Sequence, residues 1–488
     1  MAELRKTLEH VVRAVRFFGG ASSRAAQGAF MPSLRSLPGS ALLFCAAVVV
    51  ACEGEDGADP GTDTGTDAPV PATCSVPSGE GTVHATATLE SDDAVWTAAA
   101  SPHIVDFPPT IQEGQRLTIE PCAVVRFAER VGMQIEGELI AEGTADKPIV
   151  FERAGAAAWD SLRVTETGRA RLAYASLSGG GALGNSSIDG TGTLVLVGDP
   201  RSAQGLMPLA SVQHVTIEDS ASLGVLLSQN ATFSEDSREL TVTGSGSAPL
   251  RLWQRAVSSV PSGHYAGNQD DEITIEEGFG NSEIVGEATL HDRGVPYHMV
   301  AGMLVVGSSG DDRTPGSLTI EPGVQLRFQQ GSRLLVQAYD TDEAATGSLR
   351  ALGTAEKPIV LTSAAETPAP GDWVGITFKG TPAADNRIEH TTIAYAGGDS
   401  GISSYDCALS GDTFSNNGAV VFYGQQPASV FLTGCRIEHS ARDGVVRGWT
   451  GAPLDFTATN TFVDVARCLQ TFPQPPNDSC PADPPCPK

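Results

Sequence analysis

GTADKPIV at residues 143–150 returns as GTAEKPIV at residues 353–360. Catalytic motifs are rarely written twice in one chain, whereas a turn that the fold needs twice is. The duplication reaches well beyond the octapeptide. LTIEPCAVVRF (117–127) pairs with LTIEPGVQLRF (318–328), WDSLRV (159–164) with WVGITF (373–378), and VQHVTI (212–217) with IEHTTI (388–393). The second copy carries extra residues around YDTDEAATG (339–347), as insertions into loops do.

A finer period lies inside each copy. Apolar triplets centre near Thr118, Ile140 and Arg163, then near Val195, Thr216 and Thr241. Further on, Ile393, Phe414, Ile437 and Phe462 step by 21, 23 and 25 residues. A coil of about 23 residues holding two or three short strands is one rung of a solenoid. Each coil leaves its backbone groups unpaired until the next stacks about 4.8 Å above it. The pattern predicts roughly 17 coils, a rod of about 80 Å, and Ile393, Phe414 and Ile437 as one stacked column. Abundant glycine (54 residues), 6% aromatics and no helical periodicity after residue 30 fit the same picture. Within the octapeptides, Gly143 and Gly353 are expected to supply unusual backbone angles. Pro148 and Pro358 are expected to open a strand where a missing N–H is tolerated.

The blocks LTIEPGVQLRF, LRALGTAEKPIVLTS and DWVGITF resemble those of right-handed parallel β-helix surface lipoproteins of Gram-negative bacteria, with the pectin-lyase-like fold. The resemblance covers about residues 80–470. It implies an all-β solenoid, with residues 80–284 and 285–470 as its two repeat units. It also implies where enzymes of this fold keep their chemistry: carboxylates and basic residues projecting from neighbouring coils into one groove, with calcium beside an arginine in the lyases.

MPSLRSLPGSALLFCAAVVVAC (31–52) has a start methionine, Arg35 and an apolar run from Ala41 to Ala51. That run is short of the roughly 20 residues that span a bilayer and matches a signal peptide over 31–51. Its end, Val49-Val50-Ala51-Cys52, resembles a bacterial lipobox, which implies cleavage before Cys52 and a lipid on its sulfur. Residues 1–30 would make the leader too long, so translation is expected to begin at Met31. The stretch 52–79 is an acidic linker with too few apolar side chains to fold. Its aspartates Asp56, Asp59, Asp63 and Asp67 lack the spacing and closing glutamate of an EF-hand loop. The expected location is the cell envelope, as an outer-membrane lipoprotein facing the periplasm or the surface. The formal charge of −27 argues against nucleic acid as a partner. A polysaccharide or an envelope protein fits better, and calcium stays open as a ligand.

Local motifs add little chemistry. Gly398-Asp399-Ser400-Gly401 looks like a serine-protease loop but has no matching histidine motif. Gly179, Gly181 and Gly184 satisfy a dinucleotide fingerprint without its strand–helix context. The pairs Asp92-Asp93, Asp270-Asp271 and Asp311-Asp312 read as turn residues. RIEH occurs at 387–390 and 436–439, with the copies at different places on their coils; His214 and His390 match and suggest a turn or packing role. Trp159 and Trp373 are expected to pack, leaving Trp96, Trp253 and Trp449 as candidate sugar contacts. No histidine–cysteine spacing of the zinc kind occurs, and no metal site is expected. Export permits disulfides: Cys74 with Cys122 near the first coils, and a bridge among Cys468, Cys480 and Cys486 pinning the Pro/Cys-rich tail 471–488. The expected role is non-catalytic: structural, adhesive or glycan-binding. The alternative is a polysaccharide lyase or glycoside hydrolase.

Overall fold

Strands of three to six residues, alternating inward apolar and outward polar side chains, dominate the chain. The computed structural model describes residues 73–75, 79–182, 191–201, 205–279, 282–402, 416–473 and 486. Cys52, the signal peptide, most of the linker, Phe414, Cys407 and Cys480 lie outside them. The helical segments among the described residues are two short 3-10 turns, Ala98–Ala100 and Gln254–Ser259.

Every ladder between named strands is parallel. One thirteen-stranded sheet runs from Thr110–Ile111 to Thr461–Val463, beside a twelve-stranded and two five-stranded sheets. The chain therefore winds as a parallel β-helix, right-handed as crossovers between parallel strands are. The inward faces of the rungs merge into one continuous apolar core from Trp96 to Phe456. Both repeats share the long sheet, so they form one rod.

The octapeptides behave as turns into strands. Thr144 and Lys147 exchange backbone hydrogen bonds, and Thr354 N–H donates to the Lys357 carbonyl. Pro148 and Pro358 then lead directly into strands Ile149–Arg153 and Ile359–Ser363. The glycines act differently from expectation, since neither has a positive φ. A Cβ on Gly143 would sit 2.8 Å from the carbonyls of Lys147 and Tyr174, and one on Gly353 would sit 2.6 Å from that of His390. Close backbone approach, and not an unusual angle, demands glycine there.

Two expectations about the coils are corrected. The first is the uniform period. Arg116 faces Glu138, but Glu138 faces Arg169, Ala170 faces Ala210, and Ile393 faces Ile437 directly. Coils of about 23 residues therefore stand beside much longer ones. Thirteen rungs of the long sheet make a rod of about 60 Å, shorter than expected. Triplets from different faces had the same look: Ile140 lies against Arg171, and Arg163 lies against Val195.

The second concerns the copies themselves. Ile149–Arg153 belongs to the twelve-stranded sheet, whereas its counterpart Ile359–Ser363 belongs to the thirteen-stranded one. Strands Ile273–Glu276 and Tyr297–Met299 carry the long sheet across from Leu250–Trp253 to Gln325–Phe328. The second copy is thus turned by one face about the axis.

Candidate functional site

The outward faces of strands Glu138–Glu142, Arg169–Ser178 and Met207–Glu218, with the 3-10 turn Gln254–Ser259, enclose a long groove. It consists of two adjoining cavities of about 710 and 440 Å³ that share Pro208, Ser234 and Asp236. Outward positions of a strand alternate with the core, which is why charged and hydroxyl side chains line it. Four guanidinium groups (Arg169, Arg171, Arg255, Arg293) meet four carboxylates (Glu138, Glu142, Glu235, Asp236). In a chain of charge −27, this balance makes the groove locally rich in cations.

Most of these charges are held by neighbours. Arg171 pairs with Glu142 at 2.7 Å, and Arg116 with Glu138 at 2.7 Å. Ser211 and Gln213 donate to Asp236 at 2.8 and 2.9 Å. Arg293 donates twice to the Val260 carbonyl, and His291 meets Glu321 at 2.8 Å. Burial pushes the Arg255 guanidinium below its ordinary value, against the pull of Glu283. Among the described residues, Glu235 is the groove carboxylate outside any such contact.

Sequence reasoning missed this groove. Its residues come from coils far apart in the chain and share no motif, so only the stacking of outward positions brings them together. The candidates it did single out lie elsewhere. Trp449 is 1% exposed, and Trp96 and Trp253 are 5% exposed. Contrary to expectation, none offers an open ring face for a sugar. Trp449 packs against Phe422, Trp253 meets Phe279 edge-on, and Trp96 lies under His84. Trp159 and Trp373 are wholly buried, as expected.

The remaining motifs are scaffold. Asp271 accepts from the Asn268 backbone, Asp312 from Ser308 and Thr314, and Asp93 faces Arg116. Ser400 is buried, and its hydroxyl donates to the Asn416 carbonyl. His214 and His390 occupy left-handed corners, with φ of 54° and 42°. The two RIEH segments sit in different sheets, Ile388 in a five-stranded one and Ile437 opposite Ile393.

Cys74 and Cys122 form a disulfide, with Cα atoms 5.3 Å apart. Thr73 adds two hydrogen bonds to the Asp146 carbonyl, so the linker's end is stapled to the first GTADKPIV turn. At the other end Cys468 pairs with Cys486. Cys435 is a buried free thiol that burial pushes up to about 11. No group of three or more His, Cys, Asp or Glu side chains suited to a metal occurs among the described residues.

A family model described as a pectate-lyase like beta helix domain matches residues 299–406. These span the second octapeptide and the Trp373 strand, which carried the resemblance in sequence. No curated protein and no solved structure matches the chain.

Proposed function

We propose that the protein is a lipid-anchored component of a bacterial cell envelope, whose β-helix binds a polysaccharide along the outer groove without cleaving it. The observation that carries this reading is the state of the groove carboxylates. Hydrolysis of a glycosidic bond needs two carboxyl groups free to act on substrate, and here Glu138, Glu142 and Asp236 are committed to scaffold contacts. Guanidinium and hydroxyl groups lining a long channel suit hydrogen bonding to an extended glycan. Lipidation at Cys52 rests on the lipobox resemblance.

The second reading is a lyase or hydrolase. The pectate-lyase like match and the mixture of arginine and carboxylate in one groove favour it. Incubation of the purified protein with pectate, alginate and xylan, with and without calcium, separates the two. Binding that weakens about tenfold in Arg171→Ala (~1.4 kcal/mol), with no new reducing or unsaturated ends, is expected. Release of such ends that disappears in Glu235→Gln would replace binding with catalysis. Glycan binding untouched by Arg171→Ala and by Arg169→Ala would remove the groove from the reading.

A further inference from the structure

The first coil is built unlike the rest of the rod. Its strands Thr82–His84 and Asp93–Trp96 pair on one side only, with His103–Val105 and Arg116–Ile119. In the inward column of Val105 and Phe127 this coil puts His84, and in that of Ile119 it puts Trp96. They border a cavity of about 200 Å³ at the open end of the core, together with His103 and Glu90. His84 stacks on Trp96 with centroids 4.1 Å apart, and His103 stacks on it at 5.1 Å.

The two imidazoles meet edge to edge. Nε2 of His84 lies 3.0 Å from Nδ1 of His103, with ring centroids 5.3 Å apart and planes 26° apart. That is an in-line N–H···N hydrogen bond. A metal ion between collinear imidazoles would hold the nitrogens about 4 Å apart, so the space fits a proton alone. The other nitrogen of His103 lies 2.9 Å from the Thr97 carbonyl, which can only accept. His103 therefore carries its hydrogen on Nε2 and accepts on Nδ1, and His84 donates from Nε2. One atom of the pair remains unprotonated and uncommitted: Nδ1 of His84.

We propose that the first coil is an acid-sensitive latch, closed while the His84–His103 pair is neutral and opened when both rings take up protons. A first proton can enter at Nδ1 of His84 and leave the hydrogen bond in place. A second must go to Nδ1 of His103, and then two N–H groups and two positive charges face each other at the same contact. The pair breaks, and with it the stack on Trp96 that closes the end of the core.

The surroundings do not rescue the charged form. Burial is the main cause that lowers both rings below the ordinary histidine value; the neighbouring His103 lowers His84 further, while Glu90 opposes on His84 and the Thr97 carbonyl on His103 without reversing either direction. The other acids nearby are occupied: Glu120 accepts from the Ala98 N–H, and Asp93 faces Arg116. A base whose folded value is depressed contributes stability that is present above its unfolded value, near 6.5, and is lost as pH falls through the folded value. Each unit of depression makes opening about tenfold more favourable in acid. The Cys74–Cys122 disulfide would keep the opened segment attached.

Hydrogen–deuterium exchange on the full chain tests this at both backbone and imidazole C2 positions. Between pH 7.5 and 5, backbone exchange across residues 82–105, corrected for intrinsic rate, is expected to rise at least about tenfold, with the buried strand Leu223–Ser228, which has no ionisable side chain, unchanged. Both histidines should show C2 titration midpoints below the ordinary value. His84→Gln and His103→Gln should each shrink the pH dependence of segment 82–105, and the double variant should remove it, whatever their effect on its stability at pH 7.5. An acid response of undiminished size in either single variant, or midpoints at or above the ordinary value, overturns the latch.

Discussion

Trp159 and Trp373 stand at matching places in the two copies and do the same work there. Each is wholly buried, each donates its indole N–H to a backbone carbonyl at 2.8 Å, and each stacks on a phenylalanine of the preceding coil, Phe127 or Phe328. A side chain that fills the core and bonds across a loop cannot also be offered to a ligand. Trp373→Ala should therefore act on stability, costing about 3–5 kcal/mol through the cavity it leaves, as read from a chemical denaturation midpoint. A change below about 1 kcal/mol would mean that the coil collapses around the gap. The same logic corrects the exposed-ring reading of Trp96, Trp253 and Trp449. Their copies lack a matching tryptophan, which made them look available, but burial in a solenoid depends on inward or outward parity.

At the scale of the coil, stacking is what sequence reveals and loop length is what it hides. The strand blocks were legible because every rung must bury alternate residues and punctuate them with turns. The period was legible only where loops are short, as between Arg116 and Glu138. Where a coil runs from Ile393 to Ile437, sequence spacing reads an extra rung, whereas the long sheet pairs those two residues directly. The groove was not legible at all, since its members, from Glu138 to Arg293, are neighbours only after several coils have stacked. The ends of the rod were half legible: cysteines marked them, but the closing contacts did not show. Asp443, wholly buried, faces Arg467 and accepts the Cys468 N–H at 3.0 Å, while the buried Phe456 packs against Phe422 and Trp449. Asp443→Ala should cost about 3–5 kcal/mol, the range for breaking a buried ion pair, and should expose the strand Asp443–Trp449 to proteolysis. An unchanged midpoint and digestion pattern would show that other contacts hold this end. Burial pushes the Asp443 carboxyl up, with Arg467 opposing. Its contribution is thus full below the unfolded aspartate value and falls as pH rises through the folded one, opposite in sign to the histidine pair at the first coil.

Across the two repeats, the decisive feature is that both share one rod with a stapled entry point at Cys74. The thirteen-stranded sheet crosses both repeats, and the disulfide at Cys74 fixes where the linker joins the coils. No helix among the described residues is long and apolar enough to cross a membrane. On the lipoprotein reading, membrane affinity then comes from the acyl chains on Cys52, at about 0.8 kcal/mol per buried methylene group. The acidic linker contributes none, because its aspartates and glutamates are repelled by anionic headgroups. Cys52→Ala should move the protein from the membrane pellet to the soluble fraction while leaving the Cys74–Cys122 bridge and the denaturation midpoint unchanged. A variant that still pellets in carbonate buffer would refute the lipid anchor. One that pellets only at low salt would point to a charged partner in the envelope, since screening weakens such contacts within about 10 Å at 0.1 M salt.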